Sequence, residues 1–499
     1  MKTIPDLDSF RQLASQYDLV PVYRRLLSDT LTPVSAFRLL DDGISGACLF
    51  ESVVGGERVG RYSFVATQPH ARFAAWGEKT LWQSGDTRQE STLPDPLSFI
   101  QQQLTNRNVA PIPDLPPFLG GAIGYMAYDV IRYVEHLPNP PADDRKLPDI
   151  DVGFFHHLLV FDNITKTLLI VSLVAPKDFA SPDAAYQDAQ QKIQKTVDQL
   201  SQKLPDTKPA DISLTGKPTL KAKSNFSQDK FEAAVRTCNE YIRAGDIFQV
   251  VISQRFEVDC DCSPIEIYRS LRVINPSPFM FFLRTPHAVL VGSSPEVMCR
   301  VVDSQITVRP LAGTRPRGKT VEEDRKLAAE LLADPKERAE HVMLVDLGRN
   351  DVGRVAKFGS VKLSNVMEVE RYSHVMHISS NVEGTLRDDL TCMDAFKAAL
   401  PAGTVSGAPK VRAMEIIDAI EPTRRGPYAG AVGYFDYRGN MDTCIALRTM
   451  VICGGKIYIQ AGAGLVADSD PASEYQETMN KANAMLKAIE VTRSRRNGE

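Results

Sequence analysis

The sequence predicts an α+β fold with large, mostly antiparallel sheets. Short apolar or β-rich runs broken by glycine recur in the first part of the chain, and strong β runs return after position 246. Helical and strand patterns mix irregularly instead of alternating as βαβ units, which speaks against a doubly wound parallel sheet. At 499 residues the chain has volume for two or three domains or one large composite domain.

In order, residues 6 to 29 read as a helical lead-in with Leu13, Tyr17 and Leu26 as candidate buried positions. Strand patterns follow at 47–54, 61–67 and 71–76. Gly120, Gly121 and Gly124 precede the run Tyr125 to Tyr133 and indicate close backbone packing. Strands at about 152–161 and 167–174 pair as a hairpin through Asp162-Asn163, and a polar helix spans about 184–204. Residues 205 to 223 have the Pro, Lys, Ser and Thr content of a linker and give the best boundary, between regions 1–223 and 224–499. Beyond it, Ser227 starts a helix with Phe231, Val235, Cys238 and Ile242 at helical spacing, Gly245-Asp246 stops it, and Ile247 to Phe256 is a β run.

Composition narrows the function classes. An apolar fraction of 43% and a charged fraction of 24% are those of an ordinary globular protein. A net charge of -4 gives no bulk reason to expect nucleic acid or an anionic membrane, so any anion site is local. No apolar run approaches a membrane span and the first ten residues have no signal-like core, so the expectation is a soluble, cytoplasmic protein. Of eight scattered cysteines only Cys260 and Cys262 are close, which argues for reduced thiols.

Two acidic segments stand out. Asp334-Pro335 and Asp470-Pro471 each combine an N-cap aspartate with proline at the first helical position. Each then places two glutamates three residues apart on one helix face: Glu337 and Glu340, Glu474 and Glu477. Glu337 sits where a capping-box glutamate would, whereas Glu340 has no capping duty. Two solvated helix faces are the commoner reading of such pairs alone, and a shared Mg2+ site is the sharper one.

Pro401 to Lys410 is a glycine-rich turn entering a helix that runs to about Ile420. With Lys410 it forms either an anion site or a tight structural turn, and it lacks the Gly-Lys-Ser/Thr end of a phosphate loop. Ala461 to Ala467 follows a strand at 456–460 and formally fits a dinucleotide pattern, but too little chain remains for the required βαβ unit. Its glycines would let backbone approach a small substrate. Tyr428 and Arg448 add a hydroxyl and a fixed positive charge suited to a carboxylate, although a lone strand arginine is more often a surface residue. Glu296, if buried, is a candidate general acid; pairing with an arginine is the plainer alternative. His377 alternates with apolar neighbours, as a core histidine does.

With these motifs assembled, the chain resembles the large subunits of anthranilate synthases among the chorismate-utilising enzymes, densely from about 226 to 490 and more weakly before. The resemblance rests on Gly245-Asp246-Ile247-Phe248-Gln249-Val250-Val251, Pro310-Leu311-Ala312-Gly313-Thr314-Arg315, His341-Val342-Met343-Leu344-Val345-Asp346-Leu347 and Asn480-Lys481-Ala482 in this order and spacing. It implies sheets packed as a sandwich with helices outside, and Mg2+ on Glu340 and Glu477 with Glu337 and Glu474 in support. It implies Glu296 as the acid for the departing 4-hydroxyl, with Gln249, His377 and Thr404 in the catalytic set. Gly313 and Thr314 would line the ring site, Tyr428, Arg448, Gly462 and Gly464 the enolpyruvyl side chain, and Lys481 would add positive charge.

Water-using relatives carry a lysine where this chain has Gln249, and enzymes that aminate C4 commonly carry one where Ala312 stands. The resemblance therefore implies ammonia as nucleophile and anthranilate plus pyruvate as products, the first committed step of tryptophan biosynthesis. It also implies a separate glutamine amidotransferase subunit, a heterotetramer of two large and two small subunits, and L-tryptophan as feedback inhibitor. Glu51, Ser52, Pro278, Phe279 and Met280 would bind the tryptophan, with 1–223 as the regulatory and partner-contacting region and 224–499 as the catalytic one. An aminodeoxychorismate or aminodeoxyisochorismate synthase, or a non-catalytic tryptophan-binding subunit, are the alternatives.

Overall fold

A computed structural model describes residues 3–52, 60–204, 211–212, 216–372 and 375–497. Val53, Val54, His374 and much of the linker-like stretch lie outside the described residues. Two twelve-stranded sheets carry the fold, and every pairing between their strands is antiparallel. The first sheet runs from Val20–Leu27 through Thr167–Val174, His157–Asp162, Tyr62–Thr67 and Ala47–Glu51. It continues through Phe279–Arg284, Val289–Ser294, Thr449–Cys453 and Lys456–Leu465 to Gln249–Asp259. The second sheet likewise joins early strands such as Gly121–Met126 and Ile150–Phe155 to late ones such as Ala431–Asp436 and Val375–Thr385. Each sheet thus combines strands from both sides of position 223, so the two sequence regions share one pair of sheets.

The sheets face each other across a core that includes Cys48, Phe64, Phe281 and Leu290 from the first and Ile123, Tyr125, Val432 and Tyr434 from the second. Helices Pro182–Leu200, Pro264–Ile274 and Pro471–Asn497 cover the outer face of the first sheet. Pro96–Thr105, Pro335–Gly353 and Cys392–Ala399 cover that of the second. Both faces are therefore buried over the central strands, which read as nearly continuous apolar runs, while edge strands such as Thr87–Thr92 are polar and exposed: in His157–Asp162, Leu158 and Val160 enter the inner core while Leu159 and Phe161 meet the helices.

Three sequence expectations are corrected. The lead-in is helical only over Leu7–Ala14; the β-branched and aromatic run Val20-Pro21-Val22-Tyr23 forms a strand, Val20–Leu27. The expected strand at 152–161 is two strands, Ile150–Phe155 and His157–Asp162, which bend at His156 and enter different sheets. The glycines at 462 and 464 do not follow a strand but lie inside one, Lys456–Leu465. Gly121 and Gly124 do mark close packing, since a Cβ on either would lie 2.1 Å from a carbonyl oxygen of the adjacent strand. All eight cysteines are free thiols, and no helix among the described residues is long and apolar enough to cross a membrane.

Phe118 is fully buried between the sheets, edge-on to Phe64 and stacked on Tyr434 at 4.2 Å. Phe118→Ala is expected to lower unfolding free energy by about 3–5 kcal/mol, read from urea denaturation; a change below about 1 kcal/mol would show that the sheets do not depend on this contact.

Candidate active site

The strand Gln249–Asp259 organises the site. It pairs with Lys456–Leu465 on one side, Val251 opposite Gly464 and Ser253 opposite Gly462. At its start it pairs with the short strand Gly407–Ala408, which ends the glycine-rich turn. These three segments, with Tyr428 and Arg448, enclose a cavity of about 70 Å³ whose lining includes Thr404, Tyr428, Arg448, Gly462, Gly464 and Lys481. Six residues singled out from the sequence thus share one cavity.

The glycines leave space that a Cβ would crowd. A Cβ on Gly462 would lie 2.8 Å from the Tyr428 hydroxyl, and one on Gly464 would lie 3.0 Å from Gln249 Nε2. Gly313 has φ +67°, in the left-handed region, and its Cβ would press on Glu337 and Leu331.

Arg448 also has a left-handed backbone, φ +48°, which is uncommon for a residue with a side chain and marks a position held by its surroundings. Its guanidinium makes no ion pair among the described residues, while burial pushes its pKa down and the neighbouring Tyr428, Glu477 and Glu296 oppose that shift. A half-buried cation without an ion pair, lining a cavity with Lys481, is an anion-binding arrangement.

Glu296 lies in an adjacent small cavity that shares Thr404 with the first. Burial drives its carboxyl up to about 8, against the opposing effects of the Thr404 hydroxyl, the Leu311 N–H and Arg448. The Leu311 N–H reaches Glu296 Oε1 at 3.4 Å, and the Thr404 hydroxyl, buried beside the carboxyl, has no well-formed hydrogen bond. Glu296 makes no ion pair among the described residues, so of its two sequence readings the proton-carrying acid is the one the geometry favours.

His377 lies 2.8 Å from the Gly313 carbonyl through Nδ1 and 3.2 Å from the Thr314 hydroxyl. A carbonyl only accepts, so Nδ1 carries the proton and Nε2 presents a lone pair. Burial holds the ring neutral, with a pKa pushed down to about 4, and Arg448 and Lys481 add to that depression.

Asp334 and Asp470 cap their helices through backbone N–H groups, as the sequence predicts. Glu337 does not close a capping box: its carboxylate, with that of Asp334, accepts from Arg315. Gln249 Nε2 donates to Glu340 Oε1 at 3.2 Å, leaving Gln249 Oε1 buried without a partner among the described residues. Lys481 Nζ pairs with Glu477 at 2.5 Å and donates to the Gly462 carbonyl at 2.9 Å. Burial, then Glu337 and Glu477, raise the pKa of Glu340; burial and Glu477 raise that of Glu474. The two helices therefore bring their carboxylates into mutual repulsion. No three His, Cys, Asp or Glu residues among those described converge into a closed metal cage. An all-oxygen donor set under like-charge repulsion nevertheless fits a hard divalent cation, whose charge would relieve it.

Lys410 is corrected: its ammonium is bound to both oxygens of the buried Asp351 at 2.9 Å and is not offered to a ligand.

A model of the chorismate binding enzymes matches residues 46–487. The chain belongs to the chorismate binding enzyme family. It is 46% identical over 494 residues to anthranilate synthase component 1 of Acetivibrio thermocellus and 47% identical over 500 residues to that of Acinetobacter calcoaceticus, covering 97% of this chain and 98% of each relative. The crystal structure of anthranilate synthase component I from Streptococcus pneumoniae TIGR4 superposes with a TM-score of 0.76 at 37% identity, over 93% of this chain and 99% of that one. This chorismate binding enzyme is thus similar to component 1 proteins along nearly its whole length.

A second cavity, about 80 Å³, lies between the sheets and brings together Ser52, Pro278, Phe279 and Met280 with Phe50 and Tyr434. Among the described residues, Ser52 Oγ and Asp442 Oδ1 in it have no hydrogen-bond partner, while Oδ2 of Asp442 faces Arg300 Nε at 3.6 Å. Glu51 also borders it, but its carboxylate is committed elsewhere, accepting from Tyr268 at 2.6 Å and from Arg272 at 3.0 and 3.1 Å. The strand alternation that sends Phe50 inward sends Glu51 to the helix Pro264–Ile274. A larger cleft of about 570 Å³ beside Pro182–Leu200 shares no residue with either cavity.

Sequence reasoning missed Asp442 and the buried pair Glu421–Arg425 behind the first cavity. Nothing in a single sequence separates a buried arginine in Thr423-Arg424-Arg425-Gly426 from a solvated one.

Because folding raises the Glu296 pKa from 4.5 to about 8, the native state holds a proton that the unfolded chain releases between those values. Its contribution to stability is fully present below pH 4.5 and is lost as pH rises through about 8. Glu296→Gln, which cannot ionise, is expected to gain in Tm relative to the parent on going from pH 6 to pH 9; a pH-independent difference in thermal scans would contradict the buried proton.

Proposed function

We propose that the chain converts chorismate and ammonia to anthranilate, pyruvate and water, with ammonia delivered from glutamine by a separate glutamine amidotransferase subunit. The observation that carries the reading is the unpaired Arg448, held in a left-handed conformation at a glycine-walled cavity one threonine away from a protonated carboxyl. Family membership and the names of the full-length relatives supply the substrate and product.

In this reading Arg448, Tyr428 and Lys481 take the enolpyruvyl carboxylate, and the backbone at Gly462 and Gly464 leaves room for the side chain. Glu340 and Glu477, supported by Glu337 and Glu474, would hold Mg2+, which when bound neutralises the glutamates and grips the ring carboxylate. The buried, unpartnered Oε1 of Gln249 offers an acceptor to an ammonia N–H, where a lysine would activate water. Ammonia adds at C2 with a shift of the ring double bonds, and the C4–O bond breaks. Glu296 protonates the departing hydroxyl, which leaves as water, and the new ammonium group gives up a proton. Loss of the C2 proton, for which neutral His377 is the base, then breaks the C3–O bond, and the enolpyruvate takes up a proton to become pyruvate. Thr404 links the two halves of the site, and Gly313 and Thr314 hold the ring side.

The cavity between the sheets is the proposed seat of L-tryptophan inhibition, with Phe279, Met280 and Pro278 against the indole. The amino-acid end would meet the Ser52 hydroxyl and Oδ1 of Asp442, whose other oxygen faces Arg300, rather than Glu51.

Purified chain supplied with chorismate, Mg2+ and ammonium is expected to form anthranilate, followed by fluorescence, and equimolar pyruvate. A para-substituted ring or a product that retains the enolpyruvyl group would overturn the reading. Glu340→Gln and Glu477→Gln are each expected to move the Mg2+ titration of turnover upward by at least about 10-fold with unchanged circular dichroism; an unaltered titration in both removes the metal assignment. Phe279→Ala is expected to relieve tryptophan inhibition without altering the KM for chorismate, and undiminished inhibition would place the effector elsewhere.

A further inference from the structure

Arg425 is 2% exposed, and all three of its guanidinium nitrogens donate hydrogen bonds, although it does not line the cavity it stands behind. Nη1 donates to the Val405 carbonyl at 2.7 Å, and Nη2 donates to the Val251 carbonyl at 2.7 Å. Nε and Nη2 also bind both oxygens of Glu421, at 3.0 and 2.7 Å. The same plane lies over the rings of Tyr128 and Tyr428, 4.6 and 5.7 Å from their centroids. Glu421 in turn accepts from the backbone N–H and hydroxyl of Ser253, both at 2.8 Å.

Val251, Val405 and Tyr428 are three walls of the 70 Å³ cavity, drawn from a strand, a turn and a loop distant from one another in sequence. Val405 follows Thr404, the residue shared with the Glu296 cavity, and Val251 is two residues from Gln249. A buried ion pair is a weak device for stability, because desolvation offsets most of its attraction and an apolar pair packs as well. A rigid planar fork that donates in several fixed directions is a strong device for geometry.

We propose that Arg425, braced by Glu421, is a positioning residue for the reacting centre: it sets the Thr404 turn, the Gln249 strand and the Tyr428 ring against one another. It touches no substrate and acts through those three walls. The inference rests on the function proposed above for its kinetic consequence, but not for its structural one.

Arg425→Lys keeps the charge beside Glu421 and loses the fork. The double variant Arg425→Met with Glu421→Gln removes the buried charges at similar volume. In the full chain assayed with chorismate, Mg2+ and ammonium, each is expected to lower kcat by about 10- to 100-fold with a smaller change in KM. The alkaline limb of the kcat profile is expected to move to higher pH, as in Thr404→Ala, because Thr404 no longer favours the ionised form of Glu296. Amide hydrogen exchange should quicken in 401–409 and 425–430 and stay unchanged in the remaining strands. Parental kcat and pH limb in a folded variant, exchange that quickens uniformly, or failure of both variants to fold would each overturn the proposal and leave Arg425 a purely structural residue. If the parent chain makes no anthranilate, the functional reading fails by itself, and the exchange pattern still decides the role of Arg425.

Discussion

Ten residue pairs join Gln249–Asp259 to Lys456–Leu465, and the site depends on that register. Side-chain direction along a strand alternates with period two, so a slip of one residue would put Gly464 opposite a different partner and turn Gln249 away from Glu340. The pairing also delivers Lys456–Leu465 to the helix that follows it, so that Lys481 reaches back to the Gly462 carbonyl while holding Glu477. One backbone ladder thus fixes the cavity wall, the amide beside the acidic helix and the cation over the second pair of glutamates.

Around this ladder, burial gives similar groups different chemistry. Glu296 and Glu421 are both buried carboxyls. Glu421 has Arg425 and Ser253 around it, whereas Glu296 has one long backbone hydrogen bond and an imperfectly placed hydroxyl, and its proton stays on to about pH 8. Two arginines diverge the same way: Arg425 is saturated by carbonyls and a carboxylate, while Arg448 is left without an ion pair at the cavity. The members to which the proposed function gives a reacting or ligand-binding role are those left without such partners, because an unsatisfied group shielded from water is the one that a ligand or a proton can satisfy.

Much of this was legible in the sequence. The Asp-Pro helix starts, the long β runs, the antiparallel class and the glycine positions depend on local rules: capping, fixed proline φ, period-two alternation and the absence of a Cβ. The motif order also identified Gln249, Glu296, Thr404, Tyr428, Arg448 and Lys481 as site candidates, and the structure places them in or beside two adjoining cavities. Local rules failed where a segment had more than one way to satisfy them. Residues 152–161 make one apolar run, yet it bends at His156 into two sheets, because only the facing strands decide where a buried strand ends.

The sequence by itself determined which residue types stand at which spacing, and therefore the fold class, the family and the set of side chains able to do the chemistry. Only the tertiary structure decided their partners. It committed Lys410 to Asp351, Glu51 to Tyr268 and Arg272, and Glu337 to Arg315, while leaving Arg448 and Gln249 Oε1 open. The reason is physical: protonation, hydrogen bonding and charge strength depend on desolvation and on neighbours within a few ångströms, and those neighbours come from strands and helices tens to hundreds of positions apart in the chain.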